Sequence, residues 1–174
     1  MGTTAKRYKA NVVIFDDDTH FVRDYKNQLE RDGYQVELLD SLRDLPPVLN
    51  RSKHADASFF IVDMMMPGQG IYADELTDKG FLTGICVASD LRAAYPVIPI
   101  IIWTGSALAK VQENATRHAR IVPMCRYCQK SEEPAALSDA LDYYLLRGAF
   151  KNEVFKKIWN TIAKLADLRG LLGG

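Results

Sequence analysis

The segment that decides the fold is Phe59-Phe60-Ile61-Val62-Asp63-Met64-Met65-Met66-Pro67-Gly68. Its first four residues are aromatic or β-branched, which is typical of a strand buried on both faces of a parallel sheet. The apolar run stops at Asp63, and Pro67-Gly68 predicts a turn. Asp63 is therefore expected at the carboxyl end of a strand, where open α/β sheets bind ligands. The simpler alternative is an aspartate that only caps the turn.

Strand and helix patterns alternate along the rest of the chain. Because five strands alternate with helices, the sequence predicts an α/β fold with a doubly wound, five-stranded parallel sheet and right-handed crossovers. A polar, glycine-rich loop is expected at 68–83. The predicted strands are 11–15, 34–39, 59–63, 97–103 and 121–129, and the predicted helices are 19–33, 41–49, 84–92, 107–118 and one that begins at Pro134.

Composition limits the possible functions. The chain has 174 residues, with 22 Lys and Arg against 22 Asp and Glu, so its zero net charge gives no electrostatic reason to bind nucleic acid. No apolar run approaches the roughly 20 residues that span a membrane. Three cysteines argue against a disulfide framework and favour the cytoplasm. The pair Cys125 and Cys128 lacks the further ligands of a zinc site.

Polar residues follow four of the predicted strands. Asp16 and Asp17, Asp63, Thr104 and Lys130 should meet, because parallel strands deliver their carboxyl ends to one edge of the sheet. Three converging carboxylates repel one another unless a cation neutralises them, and oxygen ligands favour Mg²⁺. With a hydroxyl and an ammonium nearby, this set predicts a phosphoryl-transfer site that has an aspartate as nucleophile.

Four motifs in this order make the chain resemble the receiver domain of two-component response regulators. The resemblance covers about residues 10–148 and implies a flavodoxin-like fold and a phosphorelay signalling protein, not an enzyme. The motifs are Val12-Val13-Ile14-Phe15-Asp16-Asp17-Asp18, Ile61-Val62-Asp63-Met64-Met65-Met66-Pro67-Gly68, Ile100-Ile101-Ile102-Trp103-Thr104-Gly105 and Tyr127-Cys128-Gln129-Lys130.

The resemblance implies roles for the acidic residues. Asp63 would accept a phosphoryl group from a histidine of a sensor kinase or phosphotransfer protein. Asp17 would bind Mg²⁺ directly and Asp16 through water. Asp63 itself and the backbone carbonyl of Met65 would complete the protein ligands.

The resemblance also implies a switch. Thr104 and Lys130 would each bind an oxygen of the new phosphoryl group, and Tyr127 would change rotamer as Thr104 moves inward. One departure concerns Ser131, which stands where the family usually has proline, so the cis peptide of that loop is not expected here.

Two other functions fit parts of the sequence. Asp16 and Asp18 also match the two aspartates of the D-x-D-x-T pattern of haloacid-dehalogenase-like phosphatases, although Thr19 stands one position earlier than the threonine of that pattern. Asp16 would then be the nucleophile and Asp18 the general acid. The acidic pair that such an enzyme needs has no match, because Asp139 and Asp142 fall within a predicted helix. A phosphorylation-independent interaction module is the other alternative.

An amphipathic helix is predicted beyond the receiver-like region. We expect a receiver domain at 1–148 and a helical extension at 149–174, without an output domain. The extension could pack on its own domain, form a homodimer or bind an output protein. Its apolar face comprises Phe155, Ile158, Trp159, Ile162, Leu165 and Ala166.

Overall fold

A computed structural model describes residues 8–121, 124–130 and 133–145 and confirms the predicted α/β fold. Its five strands form one parallel sheet in the order β2-β1-β3-β4-β5. The central strand β3 is the apolar run that ends at Asp63, and all five of its residues are buried. The strands are β1 (Asn11–Phe15), β2 (Gln35–Leu39), β3 (Phe59–Asp63), β4 (Ile100–Thr104) and β5 (Cys125–Gln129).

Helices follow every strand of the sheet. Asp18 caps the first one, since its carboxylate accepts a hydrogen bond of 3.0 Å from the Phe21 N–H. Pro46 and Pro47 lie in the first turn of the second helix, where their missing N–H groups cost nothing. The helices are α1 (Thr19–Arg31), α2 (Leu45–Leu49) after a 3₁₀ turn (Leu42–Asp44), α3 (Asp74–Thr77), α4 (Thr83–Ala94), α5 (Ala109–Ile121) and α6 (helical residues 134–145).

The sheet is buried on both faces, as its continuous apolar strands predict. Helices α2, α4 and α5 cover one face, through residues such as Val48, Leu91 and Ala115. Helices α1 and α6 cover the other, through residues such as Leu29 and Leu141. Each apolar core therefore lies between the sheet and one helical layer, and the carboxyl edge of the sheet is left to polar residues.

Three predicted boundaries were wrong. Strand β4 begins at Ile100 and not at residue 97, because Pro99 has no N–H to donate to a sheet. Ile121 ends α5, and β5 begins only at Cys125, since an apolar run does not distinguish the end of a helix from the start of a strand.

The loop at 68–83 is more structured than the expected surface loop. It contains α3, and the side chains of Thr77 and Thr83 are fully buried. Thr83 Oγ1 donates to the Met66 carbonyl at 2.7 Å, and the Gly84 N–H donates to the Met64 carbonyl at 3.0 Å. The loop therefore returns to the end of β3 and is fastened beside Asp63.

The predicted helical extension at 149–174 lies outside the described residues, and so does the predicted domain boundary at 148.

In the described ranges, no helix combines the length and hydrophobicity required to cross a membrane.

Candidate functional site

Three predicted carboxylates meet at the carboxyl edge of the sheet. Asp16 follows β1 and is fully buried, Asp63 ends β3 and is 4% exposed, and Asp17 faces solvent. One carboxylate oxygen from each lies within 4.8 Å of the others, a spacing that could hold a metal ion. The Asp18 N–H donates to Asp16 Oδ1 at 3.0 Å and fixes the orientation of that carboxylate.

Lys130 joins the two buried carboxylates. Its Nζ lies 2.7 Å from Asp16 Oδ2 and 3.0 Å from Asp63 Oδ1. The Lys130 N–H donates to the Thr104 carbonyl at 2.9 Å, so the residue is tied to the neighbouring strand. The structure thus brings together the predicted acceptor, the predicted cation ligands and the predicted lysine.

Burial shifts the ionisation of all three groups. Removal from water raises the pKa of Asp63 to about 7, against the opposing effect of Lys130. Burial likewise raises the pKa of Asp16. Burial alone would lower the pKa of Lys130, but the two carboxylates outweigh it and the pKa is raised. Lys130 therefore stays charged beside a carboxyl group that can be protonated near neutral pH.

The charges of the site are unbalanced when its carboxylates are ionised. Asp16, Asp17 and Asp63 would carry three negative charges against the single positive charge of Lys130. Like charges this close disfavour ionisation unless another cation is present. The donors are all oxygens, a set that suits hard divalent cations such as Mg²⁺. The residues present therefore fit a metal ion.

The remaining predicted residues lie around this centre. Thr104 ends β4, is 1% exposed, and its Oγ1 accepts a hydrogen bond of 3.1 Å from the Ser106 N–H. The backbone N–H of Met65 lowers the pKa of Asp63, against the larger effect of burial. Tyr127 is half-buried on the face covered by α2, α4 and α5, and it pairs with Ile102, two positions before Thr104 on β4. The metal-binding role of the Met65 carbonyl and the switch role of Tyr127 remain predictions.

Aromatic side chains around Lys130 were missed by sequence reasoning. Phe21 and Tyr25 come from the first two turns of α1, and Trp103 precedes Thr104 on β4. Trp103 is buried as expected for a core residue, but its ring also faces the ammonium of Lys130, with 5.3 Å between Nζ and the ring centroid. The i, i+4 spacing of Phe21 and Tyr25 in the sequence could have shown that these two rings are neighbours on α1. That they lie near Lys130 could be seen only in the three-dimensional structure.

The additional acidic residues that the phosphatase alternative needs do not meet at the carboxyl edge of the sheet. Asp18 caps α1, while Asp139 and Asp142 lie on α6. The carboxylate of Asp142 accepts a hydrogen bond of 2.6 Å from the Tyr34 hydroxyl, at the opposite end of the sheet from Asp63. The geometry therefore does not place Asp142 beside Lys130, where the phosphatase alternative would need it.

The two cysteines of the C-x-x-C sequence point to opposite faces of the sheet. Cys125 packs with the core under α2, α4 and α5, and Cys128 packs with the core under α1 and α6. Both are free thiols. Since side chains alternate along a strand, the pair cannot share a metal ion.

The fold is that of the receiver domains of response regulators. Similar solved structures include a receiver domain from Clostridium thermocellum, with 21% identity, a TM-score of 0.63, and coverage of 81% of this chain and 98% of that one. A CheY-like receiver domain from Methanospirillum hungatei has 19% identity and a TM-score of 0.61, with 82% and 98% covered. Chemotaxis response regulator CheY4 of Vibrio cholerae has 20% identity and a TM-score of 0.56, with 77% and 97% covered. No protein-family model and no curated protein sequence matches the chain.

Proposed function

We propose that the protein is a phosphorelay signal receiver that accepts a phosphoryl group on Asp63 in a Mg²⁺-dependent reaction. The observation that supports this most directly is the placement of Asp63 at the end of β3, with Lys130 Nζ at 3.0 Å and two further carboxylates within reach of one cation. The donor would be a histidine of a sensor kinase or of a phosphotransfer protein. The protein would act as a substrate of that donor and not as an enzyme.

The residues have complementary tasks in this reaction. An oxygen of the Asp63 carboxylate attacks phosphorus, and the bond between phosphorus and the donor nitrogen breaks. Asp16, Asp17 and Asp63 would hold Mg²⁺, which supplies charge neutralisation for the transferring group. Lys130 provides a second positive charge, 3.0 Å from an oxygen of Asp63. Asp63 must be deprotonated before it can attack. Burial raises its pKa to about 7 in the metal-free site, and a bound cation would favour the ionised form that the attack needs.

The new phosphoryl group would switch the surface around it. A dianionic group on Asp63 attracts the Lys130 ammonium away from Asp16 and offers an acceptor to the Thr104 hydroxyl. Movement of Thr104 would end its present hydrogen bond from the Ser106 N–H, which begins the loop to α5. The signal would thus reach a partner through that loop, Tyr127 and α5. We also propose that this takes place in the cytoplasm, where its three free thiols persist.

Labelling with a small phosphodonor tests this proposal. Acetyl phosphate carrying ³²P should label the protein in the presence of Mg²⁺, and chelation with EDTA should abolish the label. Asp63→Asn should remove it, whereas Asp18→Asn, a neighbouring variant that loses a negative charge but keeps an oxygen to cap α1, should retain it. Labelling of Asp63→Asn to the same extent as the original chain would contradict the proposal.

A further inference from the structure

We propose that Phe21, Tyr25 and Trp103 form an aromatic wall that positions Lys130 for the reaction of Asp63. The inference rests on the proposed function and assigns positioning residues to it. It concerns residues on α1 and β4, whereas the groups that touch the transferring phosphoryl group come from β3, the end of β4 and Lys130.

Both backbone polar groups of Lys130 are held by other elements. Lys130 lies directly after β5, where the hydrogen-bond ladder of the sheet ends. Its N–H donates to the Thr104 carbonyl, and its carbonyl accepts a hydrogen bond from the Tyr25 hydroxyl. The second bond is buried and joins residues 105 positions apart in sequence. Helix α1 therefore sets where the lysine backbone leaves the sheet.

The ammonium of Lys130 contacts both carboxylates and aromatic rings. Its Nζ lies 2.7 Å from Asp16 and 3.0 Å from Asp63, and it lies over the rings of Trp103 and Phe21, with centroids 5.3 Å and 5.7 Å away. An ammonium is attracted to an aromatic face at such distances. The rings thus restrict a flexible four-carbon side chain to the carboxylate side of the site.

Tyr25 contacts the other two rings and joins them into a continuous wall. Its ring packs edge-on against Trp103 with 5.1 Å between centroids, and it is tilted by 32° against Phe21 with 5.2 Å between centroids. Tyr25 and Trp103 are buried, as core residues are, but Phe21 is 40% exposed. The ring of Phe21 therefore lies at the edge of the core, between solvent and the buried ammonium of Lys130.

Removal of the Tyr25 hydroxyl distinguishes a positioning role of this residue from a purely structural one. Tyr25→Phe removes the hydrogen bond to the Lys130 carbonyl and keeps the ring. Tyr95→Phe is a matched control, because the buried Tyr95 hydroxyl also donates to a backbone carbonyl, that of Val48 at 2.7 Å, far from the site. Both variants should lose thermal stability to a similar degree.

Of these two hydroxyl deletions, only Tyr25→Phe should slow phosphorylation. At saturating Mg²⁺ we expect the rate of Asp63 labelling by acetyl phosphate to fall about two- to tenfold, the range expected for one hydrogen bond, with Mg²⁺ affinity unchanged within about twofold. Tyr95→Phe should label at the original rate. Phe21→Leu should slow labelling by about two- to fivefold, and Phe21→Tyr, which restores a ring face, should recover the rate.

NMR provides a readout that does not depend on phosphorylation. Ring currents from Trp103 and Phe21 should displace the Lys130 Hε resonances, and this displacement should shrink in Tyr25→Phe and persist in Tyr95→Phe. Unchanged Lys130 resonances together with an unchanged labelling rate in Tyr25→Phe would contradict the positioning role of the aromatic wall and leave the proposed function intact. The same conclusion would follow if Tyr95→Phe slowed labelling as much as Tyr25→Phe does. Absence of any Asp63-dependent label in the original chain would instead overturn the proposed function, and the role of the wall with it.

Discussion

Replacing Asp63 by asparagine should stabilise the metal-free protein at alkaline pH. The unfolded chain releases the Asp63 proton with a pKa near the ordinary value of 3.8, and burial raises the pKa in the folded state to about 7. The folded state therefore binds more protons than the unfolded chain between these values, so stability falls as pH rises through this range. At pH 8 the corresponding cost is about 4 kcal/mol, an upper value for a carboxyl group coupled to Lys130.

Asparagine keeps the shape of the side chain and removes this cost. We expect Asp63→Asn to raise the free energy of unfolding by about 2–4 kcal/mol at pH 8 in EDTA, and by less than half of that at pH 5. Urea unfolding followed by circular dichroism measures the difference. Asp142→Asn is the control, since it weakens an exposed ion pair with Lys9 and should destabilise the chain slightly. A variant less stable than the original chain at pH 8, or a difference independent of pH, would refute the reasoning.

Three further predictions concern the metal site and the segments around it. The apparent Mg²⁺ affinity should fall about tenfold from pH 8 to pH 6, because protonation of Asp63 competes with binding of the metal. Isothermal titration calorimetry measures this affinity, and an affinity that does not change with pH would contradict coordination by Asp63. Gly84→Ala should lower the free energy of unfolding by about 2 kcal/mol or more, since the new Cβ would lie 2.3 Å from the Asp63 backbone oxygen. In the same urea titration, Gly105→Ala should lower it by under about 1 kcal/mol, because the nearest atom to its new Cβ, Lys130 Cβ, lies 3.7 Å away. Replacing Cys125 and Cys128 together by serine should leave the zinc content, measured by mass spectrometry, at the background level of the original chain, and a loss of bound zinc would contradict the opposed orientation of the two thiols.

Much of the fold could be predicted because the buried strands carry a strong local signal. Continuous β-branched and aromatic runs identified β1, β3 and β4. A polar residue ends β3 and β4 and directly follows β1, and these residues mark the functional edge. Asp16, Asp63 and Lys130 could then be placed together from topology alone, since parallel strands share one direction. The distances of 2.7 Å and 3.0 Å between these groups agree with that placement.

Features that depend on contacts between distant segments could not be predicted. The polarity of residues 68–83 indicated an exposed loop, but Thr83 and Gly84 bond to the carbonyls of Met66 and Met64 and bury the end of the loop. The aromatic wall was missed for the same reason. Tyr25 has an ordinary core position on α1, and only the three-dimensional structure shows its hydroxyl at the carbonyl of Lys130.

The central claim is that Asp63, and no other carboxylate of the cluster, becomes an acyl phosphate. The most direct test treats the protein with acetyl phosphate and Mg²⁺, reduces the acyl phosphate with borohydride, and maps the resulting homoserine by peptide mass spectrometry. Homoserine at position 63 is the predicted result. Homoserine at position 16 would contradict the account and favour the phosphatase mechanism, in which Asp16 is the nucleophile.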